Sequence, residues 1–196
     1  ASPPYFIVAE HKNYFDPVFI ALSVPHPISY LTTFEIYRTK IMRLMMQLAF
    51  SIPKKRYKSD LKSNRQILET LNKGGVIGIF PEGERSWTGE TQSFKPEVLK
   101  FFMKNNEIPI LPVRIHGNYH AWPRWADGFR RYKINLEFGG PFLPESGTSP
   151  EDLEARIRNL TKSSYVPEKI YKKNPNFREG LEKLIYRCSE CREFNT

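Results

Sequence analysis

Two short stretches of the sequence combine side chains that move protons with side chains that hold anions. In His11-Lys12-Asn13-Tyr14-Phe15-Asp16 the imidazole and the carboxylate are five positions apart. On a helix that spacing separates them by about 140°, so they meet more easily across a turn. An Asp that accepts from one ring nitrogen fixes the tautomer and leaves the other nitrogen to take a proton, which suits a general base and its orienter. The structural alternative is that Asp16, before Pro17, simply caps a helix. The second stretch is Phe80-Pro81-Glu82-Gly83-Glu84-Arg85-Ser86. Pro81 ends a strand, Gly83 permits a tight turn, and Arg85 offers a planar fork for phosphate or carboxylate. An ordinary surface loop can be as highly charged.

Positioning these groups falls to an alternation of apolar runs and helical patterns, which predicts an α/β fold: a single domain with a largely parallel or mixed sheet flanked by helices. Strands are expected at Tyr5–Ala9, Ile28–Thr33, Val76–Phe80, Ile108–Ile115 and Tyr132–Phe138, the last alternating apolar and polar residues so that one face is wetter. Helices are expected at Pro17–Val24, Ile36–Phe50, Asp60–Lys73, Pro96–Lys104 and Ser149–Thr161, with Ser149 as an N-cap and Gly74 as a terminator. The apolar residues of Ile36–Phe50 suit the core, or the lining of an acyl groove. Both charged stretches then leave the ends of strands, where such sheets place their ligands. The domain is expected to span residues 1–165, without its N-terminal portion because the chain opens on a strand with no Met. Residues 166–196 read as a polar basic tail with a short helical pattern, Phe177–Tyr186.

With Ile108-Pro109-Ile110-Leu111-Pro112-Val113 as a third element, the chain resembles the glycerolipid acyltransferase superfamily, typified by lysophosphatidate acyltransferases. The resemblance runs from about Tyr5 to Pro144 and rests on H-x-x-x-x-D, F-P-E-G-x-R-S and P-x-x-P-V elements in that order. A fourth element, G-x-x-x-x-x-R, fits Phe50 to Arg56 with Phe50 in place of Gly, and Lys55 can share the role of Arg56. The resemblance implies that Arg56, Glu82, Gly83 and Arg85 shape the acceptor site. The arginines would face phosphate, Glu82 would hold an acceptor hydroxyl or orient an arginine, and Pro112 would shape the neighbouring wall. Asn13 and Ser86 complete the substrate-binding candidates. The pattern departs at Glu10, Asn13 and Glu84, where the family usually has Asn, Ser and Thr. A carboxylate at Glu84 weakens the hold of Arg85 on a dianion unless it points away.

Acyl transfer needs a nucleophile, a base and stabilisation of the oxyanion. There is no G-x-S-x-G elbow, and no Cys lies near His11 in sequence; an acceptor hydroxyl activated by His11 can itself be the nucleophile, which makes a covalent acyl-enzyme unnecessary. Ser86 is the nearby rival and is better read as a bond within the turn. The expected function is transfer of a fatty acyl group from an acyl thioester to a hydroxyl of lysophosphatidate, glycerol 3-phosphate or a related lysophospholipid. The donor, carried on coenzyme A or acyl carrier protein, is a substrate; no cofactor or metal is expected.

Thirty Lys and Arg against 21 Asp and Glu leave a charge of +9, which calls for an anionic partner. An anionic membrane surface fits best, because Tyr119, Trp122, Trp125, Phe129 and Tyr132 interleave with Arg124, Arg130 and Arg131. Core packing is the alternative for the two Trp. No stretch is long and apolar enough to span a bilayer, so the domain is expected in the cytoplasm, peripheral to the membrane. The rival class is a non-enzymatic basic module holding nucleic acid or anionic membrane. Clustered His, Asp, Glu and Arg at strand ends argue against it, since a phosphate-binding face spreads Lys and Arg along a groove, and no nucleic acid is expected. Cys188 and Cys191 have the spacing of one zinc-ribbon knuckle, yet two ligands cannot complete a site, so they are a truncated ribbon or free thiols.

Overall fold

The computed structural model describes residues 2–33, 37, 40–48, 50–54, 61–163 and 179–184, with the side chains at 41, 42, 45 and 48 left aside. Arg56 and Lys55, the two cysteines and most of the expected tail lie outside these residues.

Tyr5–Ala9 forms strand β1, a run of five apolar residues buried throughout. Alternation along the strand sends Phe6 and Val8 to one face and Tyr5, Ile7 and Ala9 to the other, so β1 feeds two cores at once. It is therefore a central strand. The remaining strands are β2 (Ile28–Thr33), β3 (Ile52–Lys54), β4 (Val76–Ile79), β5 (Ile110–His116) and β6 (Asn135–Phe138). Their order is β3-β2-β4-β1-β5-β6, parallel except for the antiparallel edge β6. Register pairs Tyr5 with Val76 on one side of β1 and Ile7 with Leu111 on the other.

Three helices cover one face. Ile67 and Leu71 of α3 (Leu61–Asn72), Leu99 and Phe102 of α4 (Pro96–Lys104), and Leu153 and Ile157 of α6 (Pro150–Thr161) pack on Phe6, Val8, Ile77 and Ile110. Each such side chain contributes about 1.5–3 kcal/mol by leaving water. Two boundaries form as their chemistry dictates: the Ser149 hydroxyl accepts from the Asp152 backbone N–H at 3.1 Å, and Gly74 closes α3 at φ 76°. The other face carries α1 (Asp16–Ala21), which buries Ile20 against β1 and β5.

Several expectations change. Strand β3 is absent from the sequence reading because three residues including Pro53 carry no strand signal; as an edge strand it tolerates the Pro. The strand expected from Tyr132 starts at Asn135, and the helix expected over Ile36–Phe50 is described as α2 (Lys40–Leu48). Leu44 and Phe50 are exposed, not core. Phe50 adopts φ 52°, the left-handed region where a β-carbon is disfavoured. Phe50 stands where the resembled pattern has Gly, and the backbone shows why Gly suits the position. Phe50→Gly is expected to raise unfolding free energy by about 1 kcal/mol, read by urea denaturation; an equal or lower midpoint would show that the ring's contacts outweigh the strain.

Candidate active site

The carboxyl ends of β4, β1 and β5, three neighbours at the middle of the sheet, carry the 80–86 loop, the 10–16 turn and a short helix, α5 (Asn118–Ala121). The strand order reverses at β1, and sheets of this kind open a crevice at such a point.

His11 and Asp16 meet across the turn as their spacing predicts: Nδ1 lies 3.1 Å from Asp16 Oδ2. Asp16 does not cap α1 with its side chain. Its Oδ2 accepts the backbone N–H of Lys12 at 2.8 Å and of Asn13 at 2.7 Å, while Oδ1 accepts from Asn118 Nδ2 at 2.8 Å. The carboxylate is fully buried and accepts from four donors. The His11 ring stacks on Phe80 (centroids 4.3 Å), which stacks on Tyr30 (5.9 Å). Gly78 makes room for that column, since a β-carbon there would lie 2.2 Å from the Tyr30 ring. Burial and the Asp16 charge push the Tyr30 phenol up and keep it neutral. His11 Nε2 has no hydrogen-bond partner among the described residues, and the side chain is one-fifth exposed. One ring nitrogen is thus held and the other is free.

Asn118 is the residue that sequence reasoning missed. It is buried, follows Gly117 at φ 80°, donates to Asp16, and through its backbone carbonyl accepts from Asn13 Nδ2 at 2.7 Å. A contact across 102 positions leaves no local signature.

The other candidates divide sharply. Asn13 is corrected: it is fully buried, with its side chain spent on Asn118 and on the Phe15 N–H, so it cannot touch a substrate. Ser86 follows its turn reading and not that of a substrate contact. Its hydroxyl donates to the Glu90 carbonyl and accepts from the Gly89 N–H, holding the turn, while its backbone N–H donates to His11 O at 2.9 Å. Pro112 is buried within β5, where its carbonyl accepts from the Gly139 N–H, and it forms no open wall. Gly83 makes the turn at φ 79°. Arg85 is part-buried beside Tyr14, its guanidinium 5.1 Å from the ring centroid, and its side chain makes no hydrogen bond or ion pair among the described residues. Burial and the neighbouring Arg124 lower its pKa, and Tyr14 and Asp16 oppose that.

Glu82 neither orients an arginine nor faces out. It is 2% exposed, and neither carboxyl oxygen has a hydrogen-bond partner among the described residues. Burial, reinforced by Glu10, pushes its pKa up to about 8. Lys12, the His11 backbone N–H and Arg158 pull the other way, without a bond of good geometry. The departure at Glu10 is compensated inside the protein: Lys12 Nζ lies 2.6 Å from Glu10 Oε2, both buried, and the Thr91 hydroxyl donates to the other oxygen. Trp125 is also corrected: it is 7% exposed, bonds Tyr119 through Nε1, and lies under Arg130. Among the described residues no group of His, Cys, Asp and Glu could hold a metal ion.

The sequence profile of the Acyltransferase family matches residues 1–116, and the chain belongs to that family. A chloroplastic 1-acyl-sn-glycerol-3-phosphate acyltransferase of Brassica napus is 24% identical over 130 residues, 65% of this chain and 37% of that protein. The chain therefore spans little more than a third of that relative. The enzyme of that name from Bacillus subtilis is 22% identical over 171 residues, 82% of each chain. The crystal structure of the 1-acyl-sn-glycerophosphate acyltransferase PlsC of Thermotoga maritima superposes with a TM-score of 0.68, covering 97% of this chain and 70% of that one at 24% identity. At that identity the likeness is one of fold.

Proposed function

We propose that the domain is an O-acyltransferase that moves a fatty acyl group from an acyl thioester to a hydroxyl of lysophosphatidate, glycerol 3-phosphate or a related lysophospholipid. The observation that carries the reading is His11, held at Nδ1 by Asp16 and free at Nε2 among the described residues, together with the Arg85 guanidinium, which has no hydrogen bond or ion pair among them. Nε2 takes the proton of the acceptor hydroxyl as its oxygen attacks the thioester carbonyl. The tetrahedral intermediate then collapses, the C–S bond breaks, and the leaving thiolate takes the proton from the imidazolium. No covalent acyl-enzyme is needed. Coenzyme A or an acyl carrier protein carries the donor, and Arg85 meets the acceptor phosphate. The test supplies long-chain acyl thioester with and without lysophosphatidate, and follows free thiol and phosphatidate by mass spectrometry. Thiol release that needs lysophosphatidate supports the reading. No transfer, with salt-sensitive nucleic-acid binding in its place, would move the chain to the rival class.

The same reading places the domain against an anionic membrane surface, where both substrates concentrate. No helix among the described residues is long and apolar enough to cross a membrane. An exposed apolar face is nevertheless present: Phe15, Val18 and Leu22 at α1, with Phe129, joined by Trp122, whose ring lies 5.6 Å from Phe15 and 6.4 Å from Phe129. Each basic residue near an anionic surface contributes about 1 kcal/mol. Leu22→Ser with Phe129→Ser is expected to leave only salt-sensitive binding to phosphatidylserine-containing vesicles, measured by co-sedimentation across a salt series. Unchanged binding at high salt would remove this face from the contact. Trp125→Ala, by contrast, should cost about 3–5 kcal/mol of stability.

A further inference from the structure

Arg124 reaches the 80–86 loop from a separate segment of the chain. Its Nη1 donates to the Arg85 backbone carbonyl at 2.8 Å and lies 3.3 Å from Glu84 Oε2. Its guanidinium sits 4.5 Å from the centroid of the Trp87 ring, much as that of Arg85 sits over Tyr14. Each guanidinium is oriented by an aromatic ring, the Arg124 charge is close enough to be felt at Arg85, and Glu84 is the single carboxylate bonded to either among the described residues. The group keeps an excess positive charge. Arg124 is about one-quarter exposed and Arg85 part-buried, so an anion bridging them would be partly shielded from water, where charge-assisted bonds are strong. The loop is tied to the catalytic turn by the Ser86 N–H to His11 carbonyl bond, which places the pair beside His11.

We propose that Arg124 is a second acceptor-recognition residue: with Arg85 it forms a two-guanidinium cradle for a phosphate monoester, and by holding Glu84 it keeps that carboxylate from competing with the phosphate. The inference rests on the phosphorylated-acceptor reading above. It accounts for a loop that carries Glu84 beside the phosphate-binding Arg85. Without Arg124, the Glu84 carboxylate, next to Arg85 in sequence, would lose its bonded counter-ion and be left to turn toward Arg85. With Arg124 in place, the loop stays net positive.

The test uses the whole chain, with lysophosphatidate varied at saturating acyl thioester. Arg124→Gln keeps an N–H for the Arg85 carbonyl and removes the charge. It is expected to raise the KM for lysophosphatidate by about 10- to 100-fold, with the KM for thioester and kcat within about threefold. Adding Glu84→Thr to Arg124→Gln should recover at least about threefold of that loss, because the uncompensated carboxylate is gone. Arg124→Lys keeps the charge without the planar fork, and an increase of about tenfold is expected; it decides the matter should the Gln variant fold poorly by circular dichroism. A lysophosphatidate KM unchanged within twofold in the folded variants, an equal rise for thioester, or no recovery from Glu84→Thr would overturn the proposal. Monoacylglycerol, which lacks the phosphate, separates the two levels. A wild-type chain that uses it as well as lysophosphatidate refutes the acceptor reading itself, whereas a wild-type preference for lysophosphatidate that survives Arg124→Gln refutes only the cradle.

Discussion

Replacing His11 by Ala is expected to lower acyl transfer by about 100- to 10,000-fold, the usual contribution of a general base, and to leave the domain folded. The fold should survive because the ring is partly exposed and its polar bond is to Asp16, whose carboxylate keeps three other donors. Asp16→Asn is expected to be damaging on both counts. An amide in that place presents an N–H toward groups that are all donors, either to the two backbone N–H groups and His11 or to Asn118. It can also impose the wrong tautomer on the imidazole. Asn118→Leu tests the same network from behind: loss of its bond to Asp16 should lower kcat more than it raises either KM and shift the pH–rate profile. Steady-state kinetics with circular dichroism of each variant would check these results. A well-folded His11→Ala chain with near-normal transfer would end the proposed mechanism.

The second large effect is on stability. Glu82 titrates near 4.5 when the chain is unfolded and near 8 in the folded protein, because its carboxyl is buried with no bond to support the charge. Between those values the folded state holds a proton that the unfolded state has lost, so stability falls as pH rises, by up to about 1.4 kcal/mol per pH unit. This contribution is fully present below the unfolded value and is lost as pH climbs through about 8. Glu82→Gln removes the titration while keeping shape and volume. The variant should therefore gain on the unaltered chain steadily from pH 5 to pH 8, reaching a difference on the order of several kcal/mol. Urea unfolding at intervals across that range measures it; parallel curves for the two proteins would show that Glu82 is not stored as the neutral acid.

These results divide between what is local along the chain and what is not. The His11–Asp16 pair was legible because the two groups are five positions apart in a strand-to-helix turn, and backbone geometry over so few residues leaves little choice. The central strands were legible for a similar reason: a parallel strand buried on both faces must be apolar throughout, and Tyr5–Ala9 is. Strand β3 escaped, being three residues held at an edge by pairing with β2. The Asn13 side chain carried the right chemistry for a substrate contact, but burial turned it inward, and burial is not written in residue type.

The sequence by itself determined the sheet's core strands, the His11–Asp16 pairing, the turn at Gly83 and the cap at Ser149, because each depends on hydrophobic periodicity or on a bond spanning a few residues. Only the tertiary structure decided how the unusual charges are accommodated. Glu10 is neutralised by Lys12 two positions away because both are buried at the same strand end, and Glu84 by Arg124 because β5 and its following segment return to the 80–86 loop. Asp16 likewise receives its fourth donor from Asn118, which opens α5 just past the carboxyl end of the neighbouring β5. Whether a charge is compensated depends on what lies within a few ångströms in a medium poorer than water at screening it, and that neighbourhood exists only once the sheet has brought its strand ends together.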